Sequence, residues 1–292
     1  MQFPESSDYG YGAKAKSREV LIPIIILIII GVVILGKTTT LLCAVPVLGD
    51  IFCGTDRVMI AVIGDFNADQ AAVGMPTVVT APELEKELDG AVAAVSNVFY
   101  MVYRPSDLEF AAETILNKYD IAILVGDRHF TRTVRTAVEN FIGAGGRLII
   151  IGDAATRDPE DLAILGWGNI IGIPVELKMD ADIDNPIDLT SPTLMSVDPD
   201  HAIMQGYQYQ IRMQELGKKS CASVEMQEVI PGQSNQVVAF MTGQYEGAKK
   251  DMVAIVEGNN WLGGKTFYFA FDPGCLPNMF WSSVEYMTGK TI

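Results

Sequence analysis

Three apolar runs in this chain end in the same dipeptide. Arg57 to Ile63 is followed by Gly64-Asp65, Asp120 to Val125 by Gly126-Asp127, and Arg147 to Ile151 by Gly152-Asp153. A fourth run, Lys265 to Phe271, ends in Asp272. If these runs are neighbouring parallel strands, Asp65, Asp127, Asp153 and Asp272 meet at the carboxyl edge of the sheet, where folds of this kind bind ligands. Gathered carboxylates repel one another unless a divalent cation such as Mg²⁺ or Ca²⁺ neutralises them or one stays protonated. The plainer reading is that each Asp caps the turn that follows its strand, with no cofactor, and Gly-Asp is ordinary turn chemistry. Arg128 and Arg132, next to Asp127, offer a third outcome, neutralisation by ion pairing.

Nucleophilic and thiol chemistry is thinly represented. The chain has two histidines, His129 and His201, and four cysteines, Cys43, Cys53, Cys221 and Cys275. There is no C-x-x-C and no histidine cluster, which argues against a structural zinc site. An even cysteine count allows two disulfides in an oxidising compartment, and three pairings are open. Cys43–Cys53, around a short loop with Pro46 and Gly49, and Cys221–Cys275 are the expected pairs; buried thiols are the alternative.

The elements that must hold these residues alternate. Strands are expected at Arg57 to Ile63, Val98 to Tyr103, Asp120 to Val125 and Arg147 to Ile151. Helices are expected at Ala81 to Ser96, from a Ser106 cap with Glu109 completing a capping box, and at Thr131 to Gly143. Continuous apolar strands alternating with helices predict an α/β fold, a flavodoxin-like three-layer parallel sheet covered on both faces. The second half differs. Asp180 to Asp200, with its acids and prolines, is expected as a loop excursion. Strands at Ala222 to Val229, Gln236 to Thr242, Asp251 to Glu257 and Lys265 to Phe271 predict an antiparallel C-terminal extension, the last two joined through Asn259 to Gly264. Leu276 to Met287 reads as a closing helix whose Phe280, Trp281 and Tyr286 pack on the sheet, and Trp167 as part of a packed loop.

This order resembles the class I glutamine amidotransferase-like superfamily, in particular its ThuA-like branch. The resemblance is carried by YDIAILVGD (Tyr119 to Asp127), VENFIGAGGRLIIIGDA (Val138 to Ala154), DPDHAIMQG (Asp198 to Gly206) and GGKTFYFAFDP (Gly263 to Pro273). It spans about residues 57 to 290. It implies a nucleophilic Cys on a sharp turn after Arg147 to Ile151. This chain has Gly152-Asp153-Ala154-Ala155 there, with no hydroxyl until Thr156. Acyl transfer needs an activated nucleophile beside a base, so the expectation is a catalytically silent member and no enzyme.

Ahead of this domain lies VLIPIIILIIIGVVIL, Val20 to Leu35, without a charge or a hydrogen-bonding side chain. As a helix it spans ~25 Å at 1.5 Å per residue, and Lys37 to Leu42 extend it toward the roughly 30 Å of a hydrocarbon layer. Lys14, Lys16 and Arg18 precede the run and Lys37 follows it, a bias that keeps the N-terminus cytoplasmic. The run exceeds a usual signal-peptide core and no A-x-A site follows it. The expected organisation is a cytoplasmic tail at 1–18, a transmembrane anchor in lipid at 19–42, a linker at 43–56 and an extracytoplasmic domain at 57–292. With a formal net charge of −15, the chain should repel phosphate backbones, and no nucleic-acid partner is expected.

The function expected from this reading is a membrane-anchored structural or partner-binding subunit of a cell-surface complex, binding another protein or itself. The alternatives are a carbohydrate-binding or carbohydrate-processing protein, which should set Trp167 and Trp261 beside the carboxylates, and a metal-dependent hydrolase using Asp65, Asp127 and Asp153.

Overall fold

The computed structural model describes residues 58–64, 98–126, 128–157, 166–167, 172–178, 186–207, 209–213, 221–259 and 264–291, all within one compact unit, Arg57–Ile292. The expected anchor at 19–42, the helix at Ala81 to Ser96, the pair Cys43 and Cys53, and Asp65, Asp127 and Trp261 lie outside the described residues. No helix among the described residues is long and apolar enough to cross a membrane.

The first half builds a parallel sheet from runs that are apolar at nearly every position. β1 (Val58–Gly64), β2 (Val98–Tyr103), β3 (Ile121–Val125) and β4 (Arg147–Ile151) pair in the order β2-β1-β3-β4, all parallel. Every residue of β3 is buried, as expected of a strand covered on both faces. Between β2 and β3 lie the short helices α1 (Pro105–Leu108) and α2 (Ala112–Leu116). The helix starts a residue ahead of the expected Ser106 cap, because Pro105 has a preset φ and no N–H to leave unsatisfied. The reciprocal contact is therefore Arg104 N–H to Asp107 Oδ2 at 3.0 Å, not Ser106 with Glu109.

Between β3 and β4 runs α3 (Arg132–Gly143), which buries Val134, Val138, Phe141 and Ile142 at helical spacing. It stops for a steric reason. Gly145 has φ 91°, and a Cβ on Gly146 would stand 2.6 Å from the Phe141 carbonyl oxygen. The F-x-x-x-G-G segment is thus a helix end folded back on its own last turn.

The second half attaches to β4 through β12 (Lys265–Phe269), which is parallel to β4 and antiparallel to β11 (Ala248–Asn259). Beyond it come β10 (Gln236–Tyr245), β6 (Ile187–Ser196) and β7 (Gln210–Arg212), with β8 (Ser223–Met226) also on β6, giving a ten-stranded mixed sheet. β5 (Val175–Leu177) and β9 (Val229–Pro231) form a separate small ribbon. The expected antiparallel pairing of the last two strands holds.

Two expectations fail here. Ile187 to Ser196 is no loop but a strand between β10 and its two edge partners. Its Ile187, Leu189, Leu194 and Ser196 are buried, so the alternation was present but was interrupted by Ser191-Pro192. Ser191 has φ 51° and the register to β10 shifts there: the proline sits at a bulge, where a strand tolerates it. The β10–β11 hairpin also runs further than expected. It turns through Glu246 (φ 51°) and Gly247 (φ 78°), two positive-φ residues whose twist matches that of the strands.

The closing helix, α4 (Pro277–Thr288), packs where expected. Phe280 is buried and its ring lies 6.5 Å from that of Phe269. Arg147 Nε donates to the Met287 carbonyl at 2.5 Å, and Lys290 pairs with Asp120 at 3.0 Å.

Candidate functional site

The sheet order sets the carboxyl ends of β1, β3, β4 and β12 side by side: Gly64 is opposite Val125, Leu124 opposite Ile150, and Phe269 opposite Ile151. The strands that carry the four aspartates therefore do end at one edge. Of the four, Asp153 and Asp272 are described, and they have different surroundings.

Asp153 follows Gly152, whose φ of 63° and N–H bond to the Phe269 carbonyl at 2.8 Å turn the chain sharply off the end of β4. Two residues on, Ala155 has φ 61° and is completely buried. An alanine in the left-handed region is strained, typically by ~1–2 kcal/mol, and persists because its neighbours hold it. Arg135 on α3 donates to the Ala155 carbonyl at 2.5 Å and also to the Gly166 carbonyl. Trp167 Nε1 donates to the Ala154 carbonyl at 2.8 Å. Thr156 Oγ1 donates to the Asp153 carbonyl at 2.7 Å. The turn is clamped from α3 and from the 166–167 segment, and what it presents is a methyl group.

The Asp153 carboxylate pairs with Arg128 Nε. Burial pushes its pKa above the ordinary range, although the charges of Arg128 and Arg157 pull the other way. Below it lies Tyr268 of β12, fully buried. Its ring is edge-on to Trp167 at 5.5 Å, and its hydroxyl makes no hydrogen bond among the described residues. Burial, reinforced by the Asp153 charge, drives the phenol's pKa far up, so it is a neutral hydroxyl at any physiological pH.

Of the sequence expectations for this edge, ion pairing by Arg128 is realised at Asp153. Arg132 lies elsewhere, on the outer face of α3. Trp167 is 2% exposed and is the packed-loop residue expected; it offers no ring to a ligand. Asp272 accepts the Cys275 N–H through its backbone carbonyl at 3.2 Å, which opens the turn Pro273–Cys275. That turn carries the expected disulfide, Cys221–Cys275. Among the described residues, no group of three or more His, Cys, Asp or Glu could hold a metal ion.

A second polar cluster went unforeseen. His201 Nε2 lies 2.7 Å from Glu257 Oε2, and Tyr286 Oη donates to Glu257 Oε1 at 3.1 Å. The Ile203 N–H donates to His201 Nδ1 at 3.3 Å, which leaves Nε2 as the protonated nitrogen facing the carboxylate. Lys265 Nζ stands 3.5 Å from the centre of the Tyr286 ring. Burial alone would raise the Glu257 pKa, but the bonds from His201 and Tyr286 outweigh it and hold the carboxyl below its usual range. No spacing rule joins residues 56 positions apart; the one available hint was an acid inside the apolar run of β11.

No known family model matches the chain, and no curated protein does. Solved structures are similar in fold. The cytoplasmic protein STM1381 from Salmonella typhimurium LT2 is similar over 78% of this chain and 98% of its own, at 16% identity and a TM-score of 0.51. A putative ThuA-like protein from Bacteroides uniformis ATCC 8492 matches over 79% of this chain and 91% of its own, at 10% identity and a TM-score of 0.47. A β-galactosidase from Bacillus circulans matches over 80% of this chain but 31% of its own, at 14% identity and a TM-score of 0.46. At these identities the shared property is the fold: a mixed α/β sheet, parallel in its first half, with an antiparallel extension.

Proposed function

We propose that this chain is a membrane-anchored, non-catalytic member of the ThuA-like branch, a flavodoxin-like three-layer domain held outside the cytoplasm as a structural or partner-binding subunit. One observation carries the reading. The sharp turn after β4 keeps the left-handed backbone of a reactive elbow, yet holds Ala155 there, with Asp153 alongside in an ion pair. A strained turn without a nucleophile retains the architecture of acyl-transfer chemistry and lacks its reacting atom.

Two further features support the rest. The apolar run Val20 to Leu35 and the basic residues before it fit an anchor with its N-terminus in the cytoplasm. The Cys221–Cys275 disulfide fits an oxidising compartment, since such bonds are rare in reducing cytosol. The sugar-binding alternative loses its aromatic platform with the burial of Trp167. The hydrolase alternative would need Asp153, which is already neutralised by Arg128.

The test is purification of the full chain from its native membrane in mild detergent. A co-purifying protein or stable self-association is the expected result. A lone monomer that also turns over acyl or glycosyl substrates would overturn the reading. Alkaline extraction of the membranes checks the anchor separately, and release of the chain into the supernatant would remove it.

A further inference from the structure

A groove of about 520 Å³ runs between the Glu109–Thr114 segment and α3 on the outer face of the helical layer. Its rim carries Phe110, which at 96% exposure is the most exposed large apolar side chain described. One wall bears Glu113, the other Arg132; both are exposed. Neither forms an ion pair among the described residues. Thr114, Thr136 and Asn140 complete the lining. The face thus presents an apolar knob beside a hollow, with unlike charges on the hollow's two sides.

From this we propose that the groove is a two-fold self-association site whose occupant is Phe110 of a second copy of the chain. A two-fold axis brings the same patch to itself, so each knob meets the other copy's hollow. The same operation sets the acidic wall of one copy against Arg132 of the other, forming two reciprocal Glu113–Arg132 pairs. A chain with a net charge of −15 repels itself over most of its surface. A self-association face must therefore carry its own cations, and this one does. A phenylalanine buried in this way removes roughly 150–250 Å² from water per copy, the type of central aromatic anchor that dominates interface energetics. The inference rests on the structural-subunit reading and names its partner.

The full chain in mild detergent, examined by analytical ultracentrifugation, is expected to be a dimer. Phe110→Asp should weaken dimerisation about tenfold or more with no change in melting temperature, because the side chain is almost wholly in solvent. Arg132→Glu alone and Glu113→Arg alone should each weaken it. Mixing those two variants should restore the dimer, since each then supplies the charge that the other lost. A dimer that survives Phe110→Asp, or charge variants that fail to rescue one another, would overturn the proposed face while leaving the subunit reading intact. A monomer that co-purifies with a different protein would do the same. A lone monomer without any partner would remove both.

Discussion

Asp153 at the carboxyl edge of the parallel half and Glu257 at the junction of the antiparallel half with α4 are both acids facing a basic side chain inside the fold. Their responses are opposite. Glu257 and His201 are the more buried pair, their side chains 2% and 6% exposed, against 21% and 31% for Asp153 and Arg128. Yet Glu257 is held below the usual carboxylate range and Asp153 is pushed above it. The difference lies in the donors. Glu257 has one for each oxygen, His201 and Tyr286. Beside Asp153, the buried Tyr268 hydroxyl makes no hydrogen bond among the described residues. Depth alone does not decide whether a carboxylate is stable as an anion; the bonds delivered to it do. One region is a finished structural network. The other is a clamped turn with charge poorly served, as fits a site whose chemistry has gone.

The largest effect should come from breaking the finished network. Glu257→Ala leaves His201 and Tyr286 buried without their acceptor and should cost about 3–5 kcal/mol, read from denaturant unfolding of the full chain. A loss under about 1 kcal/mol would show that the two regions do not differ in kind. Next is the disulfide, which ties the start of the β8 segment to the turn before α4 across 54 residues. Cys275→Ser should cost about 2–4 kcal/mol, and a reductant should reproduce the loss in the parent but not in the variant.

The two regions were unequally legible in the sequence. In the parallel half the strands are buried on both faces, so each is an unbroken apolar run, and the ends of Val98 to Tyr103 and Arg147 to Ile151 agree with the structure to the residue. The carboxyl-edge convergence followed from the repeated Gly-Asp, and the missing nucleophile from Ala154-Ala155. What the sequence hid was tertiary: which arginine takes Asp153, and the hydroxyl of Tyr268 directed toward it. In the antiparallel half the period-2 signal of β6 is broken by a bulge at Ser191-Pro192, and proline there reads as loop. The His201–Glu257–Tyr286 network joins a turn, a strand and a helix, so only the fold brings it together.

Acid titration sharpens the contrast through sign. Glu257 has a folded pKa below its unfolded one, so its contribution is complete above the ordinary Glu range and is lost as the pH falls through the folded value. Asp153 has a raised folded pKa, so the folded state holds its proton longer. Its contribution is most favourable below the ordinary Asp range and declines as the pH rises through the folded value. Asp153→Asn should therefore remove a decline on the alkaline side of the acid range, and Glu257→Gln the loss on the acid side. Unfolding midpoints measured across that range separate the two, and parallel profiles for both variants would contradict the assignment.

The smallest effect tests the turn itself. Ala155→Gly removes a methyl group from a position with φ 61°, where glycine has no steric penalty. Relief of the left-handed strain, typically ~1–2 kcal/mol, is set against the lost burial of one methyl, ~0.8 kcal/mol, and the greater freedom glycine gives the unfolded chain, ~0.4–1 kcal/mol. The balance is near zero, between slight stabilisation and slight loss. The same replacement at Ala154, one residue earlier and equally buried but without positive φ, has no strain to relieve and should lose about 1 kcal/mol or more. The gap between the two variants is the measurable quantity. If Ala155→Gly is as costly as Ala154→Gly, the turn after β4 carries no special backbone, and its likeness to a reactive elbow is lost with it.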